Sequence, residues 1–132
     1  MEITKTIFKG AWPYQKDAMS LPVASVDEAV SFYETVMGFS QTGKEEKPFR
    51  RILLKRDAVQ IGLAENSGDP AQDGCFFEVD NVEMAFTEMK ARGLQRDTAD
   101  YDWQRYGDTL WKVFFVVAPD GLCYCIGERQ PG

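Results

Sequence analysis

With 132 residues, 44% hydrophobic and 27% charged, the chain has the size and composition of one globular domain with a buried core, so a disordered protein is not expected. Its net charge of −6 argues against nucleic acid, whose phosphates require clustered Lys and Arg, and no apolar run reaches the roughly 18–20 residues of a membrane span. Cys75, Cys123 and Cys125 are too sparse for a disulfide scaffold, and no apolar h-region follows the N-terminus, so reduced thiols in a cytoplasm without a signal peptide are expected.

In chain order, residues 1–16 read as an N-terminal extension, with an extra strand expected around Ile3–Phe8. A strand is expected over Ala18–Val23. Ser25 and Glu28 then form an S-x-x-E capping box. Val26, Ala29, Val30, Tyr33 and Val36 recur at helical spacing, and Gly38 closes the helix. A short strand near Phe39–Gly43 is followed by strands Arg51–Lys55 and Val59–Leu63, joined by a tight turn at Arg56-Asp57. The basic run FRRILLKR would alternate between faces and is read as a solvated edge.

A polar linker, Glu65–Gly74, separates this half from a second copy of the same pattern. There, strand Cys75–Val79 leads to capping residues Asp80 and Glu83. Val82, Ala85, Phe86 and Met89 form the buried stripe, and Gly93 ends the helix. A short strand is expected near Leu94–Arg96. Strands Trp111–Val117 and Leu122–Ile126 follow, joined at Pro119-Asp120-Gly121, whose residue types suit a β-turn. The helical faces are offset by about 55 residues, the signature of an internal repeat. Each half reads βαβββ, with module 1 at about residues 17–66 and module 2 at about 74–128. The fold class is α+β in a single domain, because each one-faced helix needs a sheet to lie on.

Leu21-x-Val23, Phe32-Tyr33 with Met37-Gly38-Phe39, Val79-Asp80 with Lys90-Ala91-Arg92-Gly93, and Pro119-Asp120-Gly121 together resemble the vicinal oxygen chelate superfamily. That group holds glyoxalase I, bleomycin-resistance proteins and extradiol dioxygenases, and the resemblance spans nearly the whole chain beyond residue 17. It implies two tandem modules whose open half-barrel sheets carry one helix each on the convex side. It also implies a ligand funnel on the concave face and a homodimer. Metal-dependent members use four His, Gln or Glu ligands, and the matching places here are Ala18, Gly62, Gly74 and Cys125, within about one residue of register. The chain has no histidine, Ala and Gly offer no donor, and one thiol does not hold a divalent cation that prefers carboxylates and imidazoles. No metal and no cofactor are expected.

Strand alternation puts Met19, Leu21, Val23, Val59, Ile61, Leu63, Cys75, Phe77, Val79, Leu122, Tyr124 and Ile126 against the helices. The concave face would then present Ala18, Ser20, Gln60, Gly62, Phe76, Glu78, Cys123 and Cys125. Glu78 there is a general base, a counter-charge for a cation, or a rim carboxylate paired with an arginine such as Arg51. The segment TADYDWQRYGDTLW lies at the funnel mouth in the resemblance. Its rings are either aromatic walls or packing for their own sheet edge, and Asp100, Asp102 and Asp108 between them would favour a cationic ligand. No histidine or nearby lysine is present to activate Cys123 or Cys125, which read as core thiols.

The ligand-binding residues expected are Phe49, Gln60, Phe76, Glu78, Trp103, Tyr106 and Trp111. The function expected is metal-free sequestration of a small, aromatic or cationic molecule, as in the bleomycin-resistance branch, with no bond changed. The alternative is a lyase, isomerase or dioxygenase of the same superfamily with a non-standard metal site or Glu78 as base. A structural or regulatory module with a closed funnel is a third reading.

Overall fold

The Ser25 cap forms where its spacing predicts: its Oγ accepts the Glu28 N–H at 3.3 Å and starts helix α1, Val26–Thr35. Gly38, at φ 76°, turns the chain out of that helix, a left-handed conformation that glycine adopts without steric cost. Helix α2, Val82–Ala91, is capped one residue later than the capping-box spacing indicates. Asn81 Oδ1 accepts the Met84 N–H at 3.0 Å, whereas Asp80 accepts the Ile7 N–H at 3.0 Å. The expected Asp80 cap is therefore corrected: the carboxylate is taken by the N-terminal segment, and the adjacent amide does the capping.

These elements belong to a computed structural model that describes residues 6–13, 18–47, 49–69, 74–95 and 97–131. Its strands are β1 (Phe8–Pro13), β2 (Leu21–Pro22), β3 (Ser40–Glu45), β4 (Arg51–Arg56), β5 (Val59–Ala64), β6 (Gly74–Val79), β7 (Asp102–Tyr106), β8 (Thr109–Val117) and β9 (Cys123–Gln130). They form a four-stranded sheet in the order β2-β5-β4-β3 and a five-stranded sheet in the order β1-β6-β9-β8-β7. Each sheet carries one helix and neither closes on itself, so the chain has the α+β, two-module architecture expected. No helix among the described residues is long and apolar enough to cross a membrane.

Three strands depart from expectation. Ala18–Ser20 is a turn of 3-10 helix, leaving only Leu21–Pro22 to pair with β5. The counterpart of β3 in the second module is Asp102–Tyr106, not the Leu94–Arg96 region: Leu94 and Gln95 are not in a strand, and Arg96 lies outside the described residues. The aromatic segment is thus an edge strand, paired with β8 through Trp103↔Lys112 and Gln104↔Trp111. The extra strand begins at Phe8 and runs antiparallel to β6. Residues 3–5 of the range first expected for it lie outside the described residues.

The helix-facing alternation holds. Leu21, Ile61, Leu63, Phe77, Tyr124 and Ile126 are fully buried in one cluster with both helices, while Met19 is half-buried. Within that core the Tyr33 hydroxyl donates to Asp120 Oδ2 at 2.9 Å and lies 2.6 Å from the Tyr124 hydroxyl. Burial, and then the Asp120 charge, push the Tyr33 phenol well above its ordinary range; burial and then Tyr33 do the same to Tyr124. Because the folded state holds these protons more tightly than the unfolded chain, the stability they contribute is full below the usual tyrosine pKa and is lost as pH rises beyond it. Ultraviolet titration of the phenols should therefore show both tyrosines ionising only together with alkaline unfolding. Reversible titration of all tyrosines in the native protein would contradict this.

The modules are also joined by charge. Arg56, at the end of β4, places its guanidinium 2.7 Å from Glu88 on α2, with 6% and 1% of the two side chains exposed. Glu88 further accepts from the Thr6 N–H at 2.7 Å, the Thr6 hydroxyl at 3.1 Å and Arg92 Nε at 2.8 Å. Arg56 also donates to the carbonyls of Met37 and Thr6 and covers the Phe8 ring at 4.2 Å. Arg56 is therefore not part of a solvated edge, as the FRRILLKR run had suggested. Burial opposes the Glu88 charge, but its bonds from Arg56, Thr6 and Arg92 outweigh that and hold the carboxyl below the usual glutamate range.

Candidate functional site

On the face of the five-stranded sheet turned away from α2, side chains alternate with the core residues. Trp12 on β1 stands opposite Phe76 on β6, and Phe76 opposite Cys125 on β9. Cys125 in turn faces Phe115 on β8. The next row holds Gly10, Glu78 and Gly127. These two glycines let the rings lie down on the sheet. A Cβ on Gly127 would come within 2.6 Å of Phe76 Cζ, and one on Gly10 within 3.2 Å of the Trp12 ring. Phe76 packs edge-on to Trp111 at 4.9 Å between centroids, with Trp12 at 5.9 Å and Tyr106 at 6.1 Å from it.

The result is an open cavity of about 570 Å³, within the range of small-molecule sites. Its walls are Trp12, Phe76, Tyr106, Trp111 and Phe115, with Gln104 and the two β9 cysteines adding the polar atoms. Edge-to-face ring pairs are mutually stabilising, and a ring with one face bare offers a flat apolar surface to a planar guest. Trp12 and Tyr106 are about half exposed, at 48% and 55%, so two of the walls meet solvent directly. Tyr106 and Gln104 hydrogen-bond to each other at the rim.

The sequence-expected residues divide between the two sheets. Phe76, Tyr106 and Trp111 line this cavity. Glu78 sits beneath it, 94% buried. Its Oε2 accepts from Arg129 Nε at 3.0 Å and lies 3.7 Å from Lys9 Nζ, so its partners are Arg129 and Lys9 rather than Arg51, which pairs with Glu45. The Arg129 guanidinium in turn lies 5.1 Å over the Trp111 ring. Trp103 points to the opposite face, where Lys112 stands between its ring and that of Tyr101 and bonds Glu83. Gln60 is exposed on β5 of the four-stranded sheet, and Phe49 is half-buried just before β4. Gly62, expected on a concave face, is covered by the backbone of the turn at Met19, and Gln60 is not among the residues that line the aromatic cavity.

Trp12, Gln104 and Phe115 went unassigned. Period-2 alternation from Trp111 through Val113 already marks Phe115 as sharing its face. Gln104 could be placed only once β7 was known to be a strand, and Trp12 only once the extension was known to pair with β6.

Burial, followed by the neighbouring Cys123 and Asp102, pushes the Cys125 thiol up to about 12. It is therefore a neutral, apolar wall rather than a thiolate ligand or nucleophile. All three cysteines are thiols rather than disulfide halves. The family metal positions do not supply a donor set. A Cβ at Gly62 would sit 2.1 Å from the Met19 carbonyl oxygen, so no side chain fits there. Gly74 carries no donor, and among the described residues no group of three His, Cys, Asp or Glu side chains is arranged to hold an ion.

Solved structures share this architecture at low identity. A virulence protein from Salmonella typhimurium superposes with a TM-score of 0.66 at 20% identity, over 88% of this chain and 97% of that one. A bleomycin resistance determinant encoded on the transposon Tn5 gives 0.62 at 18%, over 89% and 99%. An antibiotic-binding protein from a Streptomyces species gives 0.60 at 17%, over 88% and 97%. These likenesses establish the fold. No curated protein matches the chain by sequence. The family model for the Glyoxalase/Bleomycin resistance protein/Dioxygenase superfamily matches residues 16–121, from just before the first module to the final β-turn. With both modules of that fold present in order, the chain belongs to this superfamily.

Proposed function

We propose that the protein binds a small, flat aromatic molecule in the five-stranded-sheet cavity and sequesters it without a metal and without changing a bond. The observation that carries this reading is the cavity of about 570 Å³ walled almost entirely by aromatic rings. Two proteins that share the fold, one named a bleomycin resistance determinant and the other an antibiotic-binding protein, support a small-molecule ligand. The absence of a donor set at the family positions supports a metal-free site. Glu78 already shares its charge with Arg129 and Lys9, which weighs against its use as a catalytic base and against a strongly cationic ligand.

We further propose a homodimer. The cavity is open, and its rim leaves Trp12, Tyr106, Phe115 and Val117 exposed at 38–66%, an apolar margin that a second copy would cover. The three thiols are in keeping with a cytoplasmic location.

The test is a titration of metal-stripped protein with a panel of flat aromatic dyes and antibiotics, neutral and cationic, followed by tryptophan fluorescence and thermal shift. A bound ligand should quench Trp12 and Trp111 and raise the melting temperature by mass action. Trp111→Ala should weaken the response about tenfold or more, at roughly 1–3 kcal/mol for a lost stacking surface. Trp103→Phe should leave it intact, because that ring faces away. Stabilisation by divalent Ni, Zn, Mn or Fe with no organic hit would sink the reading and turn the search toward an enzyme.

A further inference from the structure

A second cavity, of about 450 Å³, opens where the two modules meet, and its chemistry is the reverse of the first. Lys55, Arg56 and Arg92 line it together with the hydroxyl-bearing Ser40 and Thr42. Ser40 stands opposite Lys55 in the β3–β4 register, and the bulge between Gln41 and Gly43 brings Thr42 onto the same wall. Bulges commonly re-aim a side chain in this way.

The donors are not all used. Arg56 is committed to Glu88 and to the Met37 and Thr6 carbonyls. Arg92 spends only its Nε, on Glu88. Among the described residues its two Nη groups, the Lys55 ammonium and the Ser40 and Thr42 hydroxyls make no hydrogen bond. Of the carboxylates, Asp57 accepts the Phe8 N–H at 2.9 Å and lies 3.6 Å from Arg56 Nε, while Glu88 is shared between Arg56 and Arg92. Three cations thus face two carboxylates that are already engaged, a local positive excess on a chain whose net charge is −6. Gly38 keeps the cavity open: a Cβ there would meet Arg56 Nη1 at 2.7 Å.

We propose that this cavity is an oxyanion site, taking the phosphate group of a small phosphate monoester. The planar Arg92 fork and the Lys55 point charge would bind the phosphate oxygens, with Ser40 and Thr42 donating from the β3 side. Arginine forks match phosphate geometry in two parallel bonds, and charge-assisted bonds of this kind are the stronger ones. The site is separate from the aromatic cavity and does not depend on what that cavity holds.

Inorganic phosphate is the probe, titrated by calorimetry at constant ionic strength against sodium chloride. One site is expected, with sulfate competing for it. Lys55→Glu should weaken binding by about tenfold or more; this side chain is exposed and unpartnered among the described residues, so the fold survives the change. Arg92→Gln should weaken it comparably. Lys112→Glu, on the far face, should leave phosphate binding unchanged. Heat no greater than in chloride, or a Lys55→Glu protein that binds phosphate as the parent does, would overturn the proposal. The tryptophan response to aromatic dyes should be the same in all of these variants.

Discussion

Glu88→Ala should cost about 3–5 kcal/mol of unfolding free energy, measured by urea denaturation, the range for breaking a buried ion pair by removing one partner. The loss is large because it strands two cations at once: Arg56, with 6% of its side chain exposed, and Arg92, with 18%. It also removes the acceptor for the Thr6 N–H and hydroxyl. A typical domain has only about 5–15 kcal/mol to lose, so the variant should be poorly soluble or partly unfolded at ambient temperature. Replacing Glu88 and Arg56 together by apolar residues of similar volume should cost far less, since no charge is then buried without a partner.

The same group sets an acid limit. The Glu88 carboxyl is held below its ordinary value of 4.5, so the folded protein binds this proton less tightly than the unfolded chain. Its stabilising contribution is complete above the unfolded value and disappears as pH falls through the folded one. Denaturation midpoints should therefore decline below about pH 4.5 in the parent protein. A Glu88→Gln protein should show a shallower decline. Equal slopes would mean that other carboxyls govern the acid transition.

Gly127→Ala should abolish most ligand binding at a modest cost in stability. The added Cβ would lie 2.6 Å from Phe76 Cζ and 3.0 Å from Val113 Cγ1. Val113 is fully buried and has nowhere to go, whereas the Phe76 ring can swing outward into the cavity. Affinity should fall about tenfold or more, while stability drops by roughly 1–3 kcal/mol, the usual range for an overpacked site. Adding Phe76→Leu to Gly127→Ala should relieve the clash and restore part of the melting temperature. A Gly127→Ala protein that binds the same dyes with parent affinity would remove Phe76 from the proposed site.

How far the sequence reached can be judged residue by residue. Ser25, Gly38 and the turn at Pro119-Asp120-Gly121 act locally, through side chain or backbone conformations a few residues apart, so they were legible directly. Trp111 was named only as one ring of the aromatic run, and Phe76 was placed on the correct face by alternation alone, because the pleat has a fixed period of two. Trp103 was not: a ring in a dense aromatic run looks the same whether it points into a cavity or out. Only the strand register, with Trp103 opposite Lys112 and Gln104 opposite Trp111, separates those cases. Asp80 failed as a cap because Ile7, distant in sequence, claimed its carboxylate.

The sequence by itself determined the repeat, the two helices with their apolar stripes and the helix-facing set of the sheets. These follow from local periodicity and composition, which need no knowledge of distant partners. Tertiary structure alone decided that the cavity belongs to the second sheet. There, pairing of β1 with β6 brings Trp12 beside Phe76, and Gly10 and Gly127 give both rings room. On the first sheet the Ala18–Ser20 turn fills the corresponding place over Gly62. It also decided that Arg56, one basic residue among four in FRRILLKR, is buried against Glu88. Such outcomes depend on contacts between residues far apart in the chain, whose closure no local pattern encodes.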